Sequence, residues 1–149
     1  MRNVTQVALI AVLMLGLRLA VQPVMSKASD WDKKLEKGYY ELSIGNVERA
    51  IRFFQEKVKA HPDSGACHTA LGLALKKHGR LQEAKAEFAA ATAAEPGFAN
   101  GFYELGSMQE GDKEYAAAAQ SFERFLKLSG DTNRKAVVGE RLRFCKEHM

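Results

Sequence analysis

Cysteines and histidines are the residues of this 149-residue chain whose side chains could hold a metal, form a bridge or attack a substrate. Cys67 and His68 are neighbours, so on a helix they point to different faces. His61, His68, His78 and His148 include no pair four residues apart, and neither an HExxH nor a CxxC pattern occurs. A zinc site draws three or four such ligands at defined spacings, so no metal is expected. No glycine-rich phosphate loop is present, and acidic residues such as Glu83 and Glu87, with Lys85 among them, read as a solvated polar helix face. Neither catalysis nor a cofactor is expected. What remains is binding, and that depends on the elements that position the surface.

Those elements repeat. Gly38, Gly72 and Gly106 stand 34 residues apart, as do Ala50, Ala84 and Ala118, and Phe54, Phe88 and Phe122. Pro62 and Pro96 keep the same interval, with Gly130 in the third place. A fixed period of this length marks a stack of supersecondary units, each unable to bury its apolar face alone. Each unit divides into two helical stretches at Gly45-Asn46, Gly79-Arg80 and Gly111 to Glu114. Glycine there supplies the left-handed end of one helix, and Asn46 is placed to cap the next. In the second stretch Ala50, Ile51, Phe54 and Val58 make an apolar stripe.

Gly72 inside a helix costs roughly 1 kcal/mol relative to alanine. The expected compensation is close approach: Gly72 faces Ala84, with Phe88 filling the space beside them. Gly72→Leu is accordingly expected to be far more damaging than Gly65→Leu. After Gly130 the pattern changes to "DTNRKAVVGERLRFCKEHM". Asp131 or Thr132 is a helix cap. Ala136, Val137, Val138, Leu142 and Cys145 form one side, with Arg134, Lys135, Glu140, Arg141, Lys146 and Glu147 around them. Residues 132–148 are read as a helix that closes the stack with a polar outside. At the other end the lysines of the first helix keep the terminal surface soluble. A Cys67–Cys145 disulfide needs Cα atoms within about 7 Å, and a whole unit separates them, so two free thiols packing as small hydrophobes are expected.

The columns resemble the tetratricopeptide repeat family, whose pattern is an aromatic, leucine-glycine, a tyrosine, an alanine followed four residues later by phenylalanine, and a closing proline. Leu71-Gly72, Leu75, Ala84, Phe88 and Pro96 match in order, with His68 at the aromatic place. The third unit has Phe102, Leu105-Gly106, Ala118 and Phe122. The first keeps Gly38, Ala50, Phe54 and Pro62, with Lys34 and Lys37 at the aromatic and leucine places. The resemblance implies an all-α, right-handed α-solenoid of three helix pairs (about 31–64, 65–98 and 99–131) plus the capping helix. The implied role is a protein-interaction module that holds a peptide or partner helix in a concave groove. A structural subunit of a larger envelope assembly or homo-oligomer is the alternative.

The groove is lined by the first helix of each pair. The expected lining is Leu35, Tyr39 and Leu42, then Thr69, Leu73 and Lys76, then Asn100, Tyr103 and Ser107. Tyr39 and Tyr103 could equally be packing residues between units. Family members that grip a C-terminal carboxylate use lysine, asparagine and arginine on this face, where this chain has Leu35, Tyr39, Leu73 and Glu104, so that clamp is lacking. An amphipathic helix or internal segment suits the groove better.

The first 28 residues stand apart. Arg2 precedes an apolar run from Val7 to Leu17, and Ser26-Lys27-Ala28 offers small residues, the layout of a secretory signal peptide cleaved near Ala28. The run is shorter than the roughly 20 residues a spanning helix needs. An uncleaved anchor over residues 4–25 is the alternative, and the only membrane contact then expected. Residues 29–149 would be the exported domain, periplasmic or secreted. Of 22 basic residues, Arg2, Arg18 and Lys27 lie in this segment, whereas all 18 acidic ones follow it. The rest of the chain is therefore nearly neutral, and no nucleic-acid partner is expected.

Overall fold

Three helical hairpins and a closing helix follow one another in the computed structural model, which describes the backbone of residues 25–149 and the side chains from Trp31. The signal-peptide and anchor readings fall on residues 1–24, outside the described residues; Ser26 to Ala28 lie in the first helix. Residues 1–30 and 31–149 are separate units. The helices are α1 (Met25–Ser43), α2 (Val47–Ala60), α3 (Gly65–Lys77), α4 (Leu81–Ala94), α5 (Ala99–Gly111), α6 (Tyr115–Leu128) and α7 (Thr132–Glu147). This is an all-α solenoid. Among the described residues no helix is long and apolar enough to cross a membrane.

The repeat columns are the packing. Phe54, Phe88 and Phe122 are fully buried, and each ring lies against the glycine sixteen residues before it. A β-carbon at Gly38, Gly72 or Gly106 would stand 2.3, 2.5 or 2.7 Å from the Cε1 atom of its phenylalanine. The neighbour of Gly72 is therefore the Phe88 ring. Ala84 is buried nearby but is not what the glycine makes room for. Gly65 is confined as well, because a β-carbon there would lie 3.0 Å from Glu95 and Phe98. The expected contrast between positions 72 and 65 is thus one of degree.

Turn geometry follows the same period. Gly45 and Gly79 have φ of 85° and 86°. The third equivalent is Lys113, at φ 61°, rather than Gly111. Asn46 does not cap α2 with its side chain. Its backbone, at φ −80° and ψ 60°, leaves the extended region from which a cap side chain reaches the helix N–H groups; instead its amide donates to Glu41 Oε2 at 2.8 Å. Ser64 does cap α3, accepting from the Cys67 N–H at 3.3 Å. Asp131 caps α7, accepting from the Arg134 N–H at 3.0 Å.

Successive helices pack in order from α2 to α7, and α3 also touches α5. Lys77 Nζ donates to the Leu42 carbonyl at 2.7 Å, placing a cation on the C-terminal end of α1. Lys85 reaches Asp112 at 2.7 Å and Glu114 at 2.8 Å, pinning α4 to the next hairpin's turn. These two carboxylates raise the Lys85 pKa through hydrogen bonds.

Candidate functional site: the expected groove and its closing helix

Only part of the expected groove lining reaches solvent. Helix α3 is wrapped by α2, α4 and α5, so only Leu73, Lys76 and Lys77 among its residues escape burial. Thr69 is consequently 5 % exposed. Its hydroxyl has no hydrogen-bond partner among the described residues, an arrangement that costs free energy. Leu35, 2 % exposed, and Leu42, 9 %, belong to the core formed by the first two hairpins. These three residues do not line a groove, because the hairpin helices are rotated further inward than the spacing suggested.

What remains forms an open row. Tyr39 is 37 % exposed while its ring packs on Phe54 at 5.3 Å. Burial, followed by the nearby Asp32 charge, raises its phenol pKa. Leu73 is half-buried against the core. Lys76 is exposed and pairs with Glu104 at 3.3 Å. Tyr103 is half-buried, tilted on Phe125 at 5.5 Å. Both tyrosines therefore pack and present a surface at once.

Asn100, Tyr103 and Ser107 are all engaged by α7. Arg134 Nη1 donates to Asn100 Oδ1 at 2.9 Å, and its guanidinium lies 4.4 Å from the Tyr103 ring centre. Arg141 Nη1 donates to Ser107 Oγ at 2.9 Å, while its Nε and Nη2 donate to Glu110 Oε2. The same guanidinium stands 4.7 Å from the Phe122 ring. Arg134 and Arg141 thus face inward, correcting the expectation that they surround an apolar face, whereas Ala136 and Val137 are exposed. Val138 and Cys145 supply the buried apolar contacts of α7.

Asn100–Arg134 and Ser107–Arg141 are each separated by 34 residues. Helix α7 therefore stands where the first helix of a fourth unit would stand. Extending the period past Gly130 would have assigned both arginines to the groove wall.

Cys67, Cys145 and His68 are held within the packing. Cys67 and Cys145 are free and buried, and burial raises both thiol pKa values. His68 Nδ1 lies 2.7 Å from Glu87 Oε2, and its Nε2 donates to the Pro62 carbonyl at 3.0 Å, a strut between α3, α4 and the preceding turn. Among the described residues no group of three or more His, Cys, Asp or Glu could hold a metal ion.

Residues 69–131 match the profile of the tetratricopeptide repeat family. No curated protein matches the chain. Among solved structures, the TPR2B domain of yeast Sti1 in a pHsp70 complex is similar at a TM-score of 0.66 and 18 % identity, covering 78 % of this chain and 99 % of that one. The Yersinia enterocolitica type III secretion chaperone SycD, in complex with a peptide of the translocator YopD, has a TM-score of 0.69 at 13 % identity, covering 83 % and 97 %. Pseudomonas aeruginosa pilF has a TM-score of 0.65 at 24 % identity, covering 79 % of this chain and 53 % of that one.

Proposed function

We propose, from the premise that this chain is a tetratricopeptide-repeat protein, that it is a non-enzymatic interaction module whose concave face holds a segment of a partner protein. The observation that carries this reading is the accessible row Tyr39, Leu73 and Tyr103, continued by Val137 on α7. Large side chains with few rotatable bonds give contact area at low entropy cost, and the tyrosines add a hydrogen-bonding tip. The pHsp70 complex of the Sti1 domain and the complex of SycD with a YopD peptide, both sharing the fold, support it.

The test is a selection of random short peptides on the full chain, repeated with Tyr39→Glu/Leu73→Glu. Enriched peptides should lose at least tenfold in affinity with the double variant while its circular dichroism is unchanged. Equal affinity would remove the reading.

A second reading, a subunit of a permanent assembly, is favoured by Tyr40 on α1 and Ile44 in the turn that follows it, which are 61 % and 52 % exposed. The equivalents one unit later are the fully buried Ala74, and His78, which pairs with Glu48 of α2. Light scattering separates the two: a stable monomer favours the transient module. Export is proposed from the N-terminal sequence. A mature chain starting at Ser29, found by mass spectrometry of native material, supports it; one starting at Met1 in the membrane fraction supports the anchor.

A further inference from the structure

Arg134 differs from the other cations of the concave face. Lys76 is paired with Glu104 and Arg141 with Glu110, whereas the side-chain hydrogen bond of Arg134 goes to a neutral amide, Asn100. The guanidinium is half-buried beside the Tyr103–Phe125 ring pair, 4.4 and 5.4 Å from the two ring centres. A cation this close to the face of an aromatic ring is attracted to it and partly shielded from water. One nitrogen is occupied by Asn100; the others make no hydrogen bond to the described residues. They border a cleft of about 250 Å³ lined by Tyr103, Asn133, Arg134 and Val137. The Tyr103 hydroxyl and the Asn133 amide likewise have no side-chain partner among the described residues, and Val137, 59 % exposed, forms an apolar wall. The nearest carboxylate in sequence, Asp131, accepts the Arg134 backbone N–H through Oδ1 rather than pairing with its guanidinium.

We infer that this cleft is an acid-reading subsite: it takes the side chain of an aspartate or glutamate flanked by an aliphatic residue, within a peptide lying along the concave face. The carboxylate accepts from the open guanidinium N–H groups, with Tyr103 and Asn133 as further donors, and the aliphatic neighbour packs on Val137. A planar guanidinium held in place loses little freedom on forming such a pair. The inference rests on the groove reading above and specifies its ligand.

The experiment uses the same full-chain peptide selection. Peptides carrying an acidic residue beside an aliphatic one should be enriched. In those, replacing the acid by its amide, or Arg134 by Gln, should weaken binding roughly 10- to 100-fold. Val137→Glu, at an exposed position that folding tolerates, should weaken it comparably by placing a competing carboxylate in the cleft. Amidating the peptide C-terminus should change nothing; a large loss there would assign the cleft to a chain terminus and overturn the side-chain assignment. Enriched peptides without an acid, bound equally by Arg134→Gln and Val137→Glu, would overturn the subsite and leave the groove standing. Failure to enrich any peptide would remove both.

Discussion

The ring of Phe88 occupies the space that any side chain at position 72 would need: a β-carbon there would meet Phe88 Cε1 at 2.5 Å and Cδ1 at 2.7 Å. Phe88 has no exposed surface through which to swing away. Gly72→Ala therefore sets a gain of about 1 kcal/mol in helix propensity against overpacking that costs typically 1–3 kcal/mol. Packing wins, and urea denaturation should report a net loss. Gly111→Ala is the control: it ends α5 with nothing within 4 Å of its β-carbon, and should be neutral or slightly stabilising.

Lys113 stands where Gly45 and Gly79 stand in the first two hairpins, with φ 61° against their 85° and 86°. The left-handed region costs a residue with a β-carbon about 1–2 kcal/mol, and glycine loses part of that advantage through a freer unfolded chain. Lys113→Gly should stabilise the protein by about 0.5–1 kcal/mol, raising the melting temperature. Gly79→Lys should lower it.

The glycine and phenylalanine columns were legible in the sequence because the contact they make is local to one hairpin and repeats. Helix rotation was not legible. Whether Thr69 faces the groove or the neighbouring helix depends on α3 being covered by both α4 and α5, a long-range fact that one hairpin's pattern does not encode. The arginines of α7 were misread because a charged residue beside an apolar stripe ordinarily faces water; here the stem packs and the guanidinium lies on aromatic rings. Their spacing from Asn100 and Ser107 was the available signal. Lys113 gave none, since nothing in its local sequence announces a positive φ.

Cys67 and Cys145 are both completely buried thiols whose pKa values burial pushes up. The thiolate is the reactive form, so native protein should label slowly with a disulfide reagent at neutral pH, and both sites should label rapidly in denaturant. A raised folded-state pKa favours the neutral thiol. Its contribution to stability is therefore intact below the unfolded value near 8.5 and is lost as pH rises through the folded values. Cys67→Ala/Cys145→Ala should show a shallower decline in stability above that pH. An equally steep decline would assign the alkaline loss to other groups.

Arg141 joins α7 to the third hairpin through Ser107, Glu110 and the Phe122 ring. Its side chain is 25 % exposed and that of Glu110 22 %, so the pair is partly shielded from water. Removing one partner leaves the other charge poorly solvated, a loss of about 1–3 kcal/mol. In a repeat stack each element contacts chiefly its neighbours, so the loss should be local first. Arg141→Ala should increase hydrogen exchange along α7, moderately along α6, and little along α3 and α4. Glu110→Gln, which keeps an acceptor, should be milder, and the double variant should cost less than the sum of the singles because the pair shares one interaction. Uniform loss of protection across all helices would instead mean that α7 and the hairpins open as one cooperative body.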